Sequence, residues 1–327
     1  LFKRITIIAS LIIILLNLLA FVHAYKFTHF SNDNSIRTIP EKLSAFQKLK
    51  TLCTGINNPR PENTATPTQP FETITLQSNK KIECWSIQQT NAKGTVIICH
   101  GYSGEKSSML DKSDELIKMG YNTFLIDFMG SGGSEGNQTT IGFHEAAEVK
   151  TAYEYIAQKG EKNIILFGTS MGAAAILKAI HDSHLNPAVV IIECPFGTMY
   201  QTVCARFKAM NVPTFPMAPL LVFWGGLQNN FWAFGHNPET YAMAVKCPVL
   251  LLYGEKDKRV SKTEINTIYA NLPGKKTLKT YPLAGHENYL LKYKSQWTSD
   301  IKTFLTNIAS KSPSSLSSIT PSSPPRL

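Results

Sequence analysis

Gly168-Thr169-Ser170-Met171-Gly172 sets a serine between two glycines. The apolar run Ile164–Phe167 precedes it and the alanines from Ala173 follow. A chain that passes so abruptly from strand to helix must turn sharply, and glycines two residues either side remove the Cβ atoms that would clash there. Such a turn exposes Ser170 with a helix N-terminus behind it, so the Met171 amide would face the place where negative charge develops. A serine hydroxyl is a poor nucleophile at neutral pH. It needs a base, and the base needs an orienting carboxylate. Asp257 follows the apolar run Pro248–Gly254, and His286 follows a further strand-like run, after Gly285. The order Ser, acid, His is the one expected of a nucleophile on this kind of turn. Glu193, at the end of Val189–Glu193, is the alternative acid. A second oxyanion donor is expected at Tyr102, in the glycine-loosened stretch His100-Gly101-Tyr102 after another apolar run. His100 is read as a brace for that loop. His181 and His184 lack the glutamate of a zinc helix motif and are read as surface. Nucleophile, base and oxyanion donors are all protein groups, so no metal and no organic cofactor is expected.

These residues need elements to hold them together. Apolar runs at Thr95–His100, Asn122–Phe128, Asn163–Gly168, Ala188–Glu193 and Pro248–Gly254 alternate with helical patterns at about 107–120, 144–160, 171–182 and 263–272. Strands that are apolar on both faces, alternating with helices, predict a mostly parallel central sheet covered on both sides. Two earlier runs, Phe71–Gln77 and Lys81–Gln88, could pair as an antiparallel hairpin at one edge. The interval from Cys194 to Cys247 is longer than a crossover needs. It is rich in aromatics, among them Phe207, Phe223, Trp224, Phe231 and Trp232. Residues 197–243 are therefore either a lid over the carboxyl end of the sheet or a long crossover packed into the core.

From Phe71 to Ile308 the chain resembles the α/β-hydrolase superfamily. It resembles in particular bacterial serine hydrolases akin to lysophospholipases, monoacylglycerol lipases and S33-type peptidases. The residues that carry this are His100–Gly104, the stretch Ile126–Gly136 (IDFMGSGGSEG), Gly168–Gly172, Cys247–Val260 and Ala284–Tyr289. The resemblance implies an α/β-hydrolase fold with a helical lid, and a Ser170, His286, Asp257 triad with Tyr102 and Met171 as oxyanion donors. Met129 stands where the family pattern has arginine, which puts an ion pair of that loop in doubt. The implied activity is hydrolysis of a carboxylic ester of a small acyl compound or lipid. The alternatives are an S33-type peptidase, a thioesterase, or a hydrolase fold without catalysis that only binds.

The remaining composition is ordinary: 43% apolar, 17% charged, net charge +10 over 327 residues. The lysines are scattered, so the charge is read as solvated surface and no nucleic-acid partner is expected. Residues 1–24 begin with Lys3 and Arg4, continue as an apolar run, and end on Val22-His23-Ala24. This is either a cleaved signal peptide or an uncleaved membrane anchor, so the body is expected to be exported or tethered to a membrane. Residues 25–70 read as a helix and linker, 71–309 as the hydrolase domain, and 310–327 as a disordered Ser/Pro-rich tail. Cys99, Cys194 and Cys247 lie in or beside apolar runs, so at most one disulfide is expected among six cysteines.

Overall fold

The computed structural model describes residues 1–33, 35–38 and 43–310. Apart from Ser310, the Ser/Pro-rich tail lies outside the described residues. Eight strands make one sheet: β1 (Glu72–Gln77), β2 (Lys81–Ile87), β3 (Thr95–Cys99), β4 (Asn122–Ile126), β5 (Ile164–Thr169), β6 (Val189–Glu193), β7 (Val249–Gly254) and β8 (Lys276–Tyr281). Their spatial order is β1-β2-β4-β3-β5-β6-β7-β8. β1 and β2 form the antiparallel edge hairpin, and β2 runs antiparallel to β4. Every other neighbouring pair is parallel.

Two apolar layers enclose the sheet because its inner strands are apolar at consecutive positions. Ile97, Leu166, Val190 and Leu251 face one side, packed beneath α4 (Glu145–Gln158), α5 (Met171–Ser183) and α9 (Lys262–Asn271). Ile98, Phe167, Ile191 and Leu252 face the other, beneath α3 (Leu110–Lys118) and α11 (Lys294–Ala309). This is the mostly parallel α/β-hydrolase architecture that the sequence predicts. All six cysteines are free thiols.

Outside the sheet, α1 (Phe2–Thr28) is a single apolar helix that runs on past Ala24. α2 (Ala45–Thr54) opens with a capping box made by Ser44 and Gln47. Between β6 and β7 the chain carries α6 (Met199–Ala209), α7 (Met217–Gln228) and the short α8 (Pro238–Tyr241). Ala20 of α1 packs with Phe207, Ala218 and Leu221 in a small apolar cluster separate from the two layers on the sheet. Trp232 of the same insert is 64% exposed.

The loop after β4 is held by partners remote in sequence. The Asp127 carboxylate accepts from the Lys106 ammonium and amide, from Asn63 Nδ2 and from the Gly133 amide. Burial alone would raise the Asp127 carboxyl, but the Lys106 charge holds it below its ordinary value. Arg60 donates to the carbonyls of Gly132, Ser134 and Gly136. The linker thus supplies the guanidinium that clamps this loop. Met129 is buried, and its amide donates to Glu148 Oε2 at 3.0 Å.

Burial, with the nearby Glu145 carboxylate, holds the Glu148 carboxyl well above its ordinary value of 4.5. The folded state therefore binds a proton that the unfolded chain has released, and stability falls as pH rises through that interval. Glu148→Gln is neutral at every pH. Its melting temperature should match wild type below about pH 4.5 and exceed it at about pH 8, by about 3 °C. Thermal unfolding at both pH values checks this, and an equal difference at both would contradict it.

Candidate active site

The turn from β5 into α5 carries Ser170 at φ 52° and ψ −108°, a conformation that side-chain-bearing residues rarely adopt. Its amide donates to the Glu193 carbonyl at 2.8 Å, which fixes the turn to the adjacent strand. Both glycines of the pentapeptide are sterically required. A Cβ on Gly168 would lie 2.7 Å from the Ala173 nitrogen. One on Gly172 would press into the Cys99 and His100 carbonyls, 2.6 Å from the latter.

His286 lies in the loop after β8, and Asp257 in the loop after β7. Two backbone bonds fasten these loops together: the Glu255 amide to the Tyr281 carbonyl, and the Lys256 amide to the Ala284 carbonyl. A Cβ on Gly254 would sit 2.6 Å from the Ala284 oxygen, so only glycine lets them approach. Asp257 Oδ1 accepts from the amides of Arg259 and Val260, leaving Oδ2 for the imidazole. His286 Nδ1 lies 2.8 Å from Asp257 Oδ2, and Nε2 lies 3.0 Å from Ser170 Oγ. The Asp257 side chain is fully buried, and that of His286 is 16% exposed. Ser170, His286 and Asp257 thus meet in one line of hydrogen bonds. With Nδ1–H directed at Asp257, Nε2 is left to accept from the serine.

Met171 is the first residue of α5, where amides have no intrahelical partner. Gly101 lies against the turn: a Cβ there would be 3.7 Å from Ser170 Cβ. Among the described residues, neither the Met171 nor the Tyr102 amide donates to a protein acceptor. The Tyr102 ring is pinned from the N-terminal segment. Its hydroxyl donates to the Phe27 carbonyl at 2.7 Å and accepts from Asn58 Nδ2 at 2.9 Å. His100 Nε2 accepts from the Phe128 amide and Nδ1 donates to the Gly101 carbonyl. Burial holds its pKa below the ordinary value, so the ring is a neutral brace.

The comparisons with known proteins agree with this fold. Residues 90–232 match the family model for serine aminopeptidase, S33. The uncharacterized protein YqkD of Bacillus subtilis is 23% identical over 231 residues, covering 69% of this chain and 76% of that one. The lysophosphatidylserine lipase ABHD12 of Danio rerio is 25% identical over 170 residues, covering 50% of this chain and 43% of that one. The structure of the Pyrococcus furiosus esterase Pf2001 superposes with a TM-score of 0.65 at 22% identity, over 76% of this chain and 96% of that one. The fold is that of the α/β-hydrolases.

Glu193, the alternative acid, is engaged elsewhere. It accepts from Trp297 Nε1 at 2.7 Å and Thr169 Oγ1 at 3.0 Å, and pairs with Lys112 at 3.3 Å. Lys112 also donates to Asn288, two residues beyond His286, so the network ties the His286 loop to β6. Cys194, Asp257 and His286 offer ligand atoms within 4.8 Å of one another. A metal there would have to displace the Asp257–His286 hydrogen bond. Burial, then the Asp257 and Glu193 carboxylates, also keep the Cys194 thiol well above its ordinary pKa and thus protonated.

An apolar cavity of about 400 Å³ lies beside the candidate site, beneath α6 and α7. Neither Ser170 nor His286 lines it; Tyr102 is the residue it shares with the candidate oxyanion loop. Phe207, Leu221 and Phe231 of the insert line it, and Trp224 and Trp232 do not. Sequence reasoning missed the part played by α1 and α2, whose Leu16, Leu19, Phe27 and Leu52 form the opposite wall. It also missed Arg60 as the clamp on the Gly132–Gly136 loop. Only the apolar spacing within those N-terminal segments could have hinted at the former.

Backbone strain at Ser170 gives a test of the turn that does not depend on activity. Glycine adopts this φ and ψ freely, whereas alanine does not. Ser170→Gly should therefore be more stable than Ser170→Ala by about 1–2 kcal/mol. Denaturant unfolding measures the difference, and equal stabilities would mean the turn is unstrained.

Proposed function

We propose that this protein is a serine hydrolase that cleaves carboxylic esters with an extended acyl chain, using Ser170 as nucleophile, His286 as general base and acid, and Asp257 as its orienter. The observation that carries the reading is the unbroken Ser170–His286–Asp257 relay on a strained strand-to-helix turn next to an apolar cavity. Ser170 Oγ attacks the ester carbonyl carbon while its proton passes to His286 Nε2. The carbonyl π electrons move onto oxygen, and the Tyr102 and Met171 amides stabilise the oxyanion. When it collapses, the alcohol leaves with the proton from His286, and Ser170 carries the acyl group. Water, deprotonated by His286, then attacks the acyl carbon. Collapse of the second tetrahedral species releases the acid and returns the proton to Ser170.

Two features favour an acyl ester over a peptide. The cavity lining is almost wholly apolar, and each methylene buried there stabilises binding by about 0.8 kcal/mol. An aminopeptidase would need an acid to hold the substrate's ammonium. Among the described residues, no carboxylate lines this cavity or the smaller one beside Arg37, Arg206 and Arg259. The esterase and lipase named above are consistent with this reading. The basic N-terminal flank and the apolar helix suit an enzyme working at a membrane, exported or tethered.

Ser170→Ala should abolish labelling by a fluorophosphonate probe and lower kcat by at least about 1,000-fold. Wild-type turnover by the folded variant would sink the proposal. Asp257→Asn should be nearly as severe, whereas Glu193→Gln should chiefly lower stability; the reverse ranking would assign the wrong acid. Along a series of esters sharing one alcohol, kcat/KM should rise at least about tenfold from acetyl to octanoyl. Faster cleavage of an aminoacyl amide than of any matched ester would favour the peptidase instead.

A further inference from the structure

α1 has two halves that differ in what surrounds them. From Phe2 to Leu15 its large apolar side chains are exposed on every side: Ile5, Ile8, Leu11, Ile12 and Leu15 are each more than half exposed. A helix apolar all round has no stripe to lay on a protein core and suits a bilayer interior. From Leu16 onward the same helix is built into the protein. Ala20 and Ala24, four residues apart, are 0% and 2% exposed, and they let α7 pack closely along α1. Asn17 Oδ1 accepts from Trp224 Nε1, and the Phe21 carbonyl accepts from Gln228. His23 Nε2 meets the Leu52 carbonyl of α2 at 3.0 Å, and the Lys26 ammonium meets the Thr54 carbonyl at 2.6 Å.

Leu16, Leu19, His23 and Ala24 are also wall residues of the 400 Å³ cavity. Cleavage after Ala24 would remove all four and expose the packed faces of Ala218 and Leu221. We propose that α1 is retained: its first half is embedded in a phospholipid bilayer, and its second half is a permanent wall of the acyl-chain cavity, so that the cavity meets the membrane surface. A second, independent observation points to a lipid surface. The insert that packs on α1 exposes Phe215, Phe223, Leu227 and Trp232, at 78%, 41%, 57% and 64%. Large apolar and tryptophan side chains beside a membrane helix belong at the bilayer interface. The exposed apolar stretch after Lys3 and Arg4, Ile5–Leu15, has 11 residues and at ~1.5 Å each reaches about halfway into a ~30 Å hydrocarbon core. An acyl chain could then pass from bilayer to cavity without crossing water. The acyl part of this inference rests on the esterase reading; retention of α1 and its place in lipid do not.

The test uses the full chain recovered from membranes and reconstituted in phosphatidylcholine vesicles. Trypsin should release the intact peptide Ile5–Lys26; a mature chain beginning at Tyr25 overturns the proposal. Brominated acyl chains in the vesicle should quench the fluorescence added by Ile8→Trp. If that tryptophan escapes quenching because a second copy shields the helix, the bilayer is the wrong occupant. An alkyl fluorophosphonate with a terminal diazirine, bound at the nucleophile and irradiated, should cross-link to Leu16–Thr28. Cross-links confined to other elements overturn the cavity-wall role, whereas a complete lack of adduct refutes the serine reading and leaves the first two readouts to decide. Leu19→Trp, which fills the cavity from α1, should lower the octanoyl-to-acetyl ratio of kcat/KM at least about tenfold, whereas Ile8→Trp should leave it within about twofold. Equal ratios in the two variants would contradict the assignment.

Discussion

The first turn of α5 lies directly against the carbonyls that end β3. At Gly172 there is no room for a side chain, since a Cβ would meet the Cys99 and His100 oxygens. This contact brings the α5 N-terminus and the end of β3 to one point. It sets the Met171 amide and the loop at Gly101-Tyr102 on the same side of Ser170. It also fixes the length of the turn from β5, which forces Ser170 to a positive φ. The strain is offset by burial of both sheet faces, where a few kcal/mol is small against the apolar area removed from water.

Parallel strand order does the rest. β5, β6 and β7 end at the same edge, and β8 runs beside β7, so the loops carrying Ser170, Asp257 and His286 emerge together. Glycine at position 254 then lets the loops of Asp257 and His286 touch. Asp257 and Ser170 are held by backbone rather than by long side chains: two amides on Asp257 Oδ1, one carbonyl on the Ser170 amide. Geometry held this way resists thermal wandering, which a proton relay spanning two hydrogen bonds requires.

The strand runs were legible because a strand buried on both faces must be continuously apolar, as Val189–Glu193 and Val249–Gly254 are. Ser170 was legible because its turn has a local steric demand that only a particular glycine spacing satisfies. Glu193 was a rival acid from sequence because its strand position is equivalent; only the structure shows its oxygens taken by Trp297, Thr169 and Lys112. Arg60 and Lys106 were not legible. They act on residues far along the chain, and a single arginine or lysine carries no local pattern that announces such a partner. The apolar N-terminal run was legible as membrane-seeking, but its second half looks the same in sequence whether it lines a bilayer or a protein cavity. The aromatic insert was equally ambiguous, since Phe207 and Trp232 have similar chemistry and opposite burial.

The proposed function requires that nucleophile, oxyanion donors and apolar cavity form one continuous site. A crystal structure of the full chain after reaction with an octyl fluorophosphonate tests this directly. The account predicts phosphorus bonded to Ser170 Oγ, the phosphoryl oxygen within hydrogen-bonding distance of the Tyr102 and Met171 amides, and the alkyl chain passing Tyr102 into the cavity between α1, α6 and α7. A chain directed into solvent, or a phosphoryl oxygen that contacts neither amide, would contradict it.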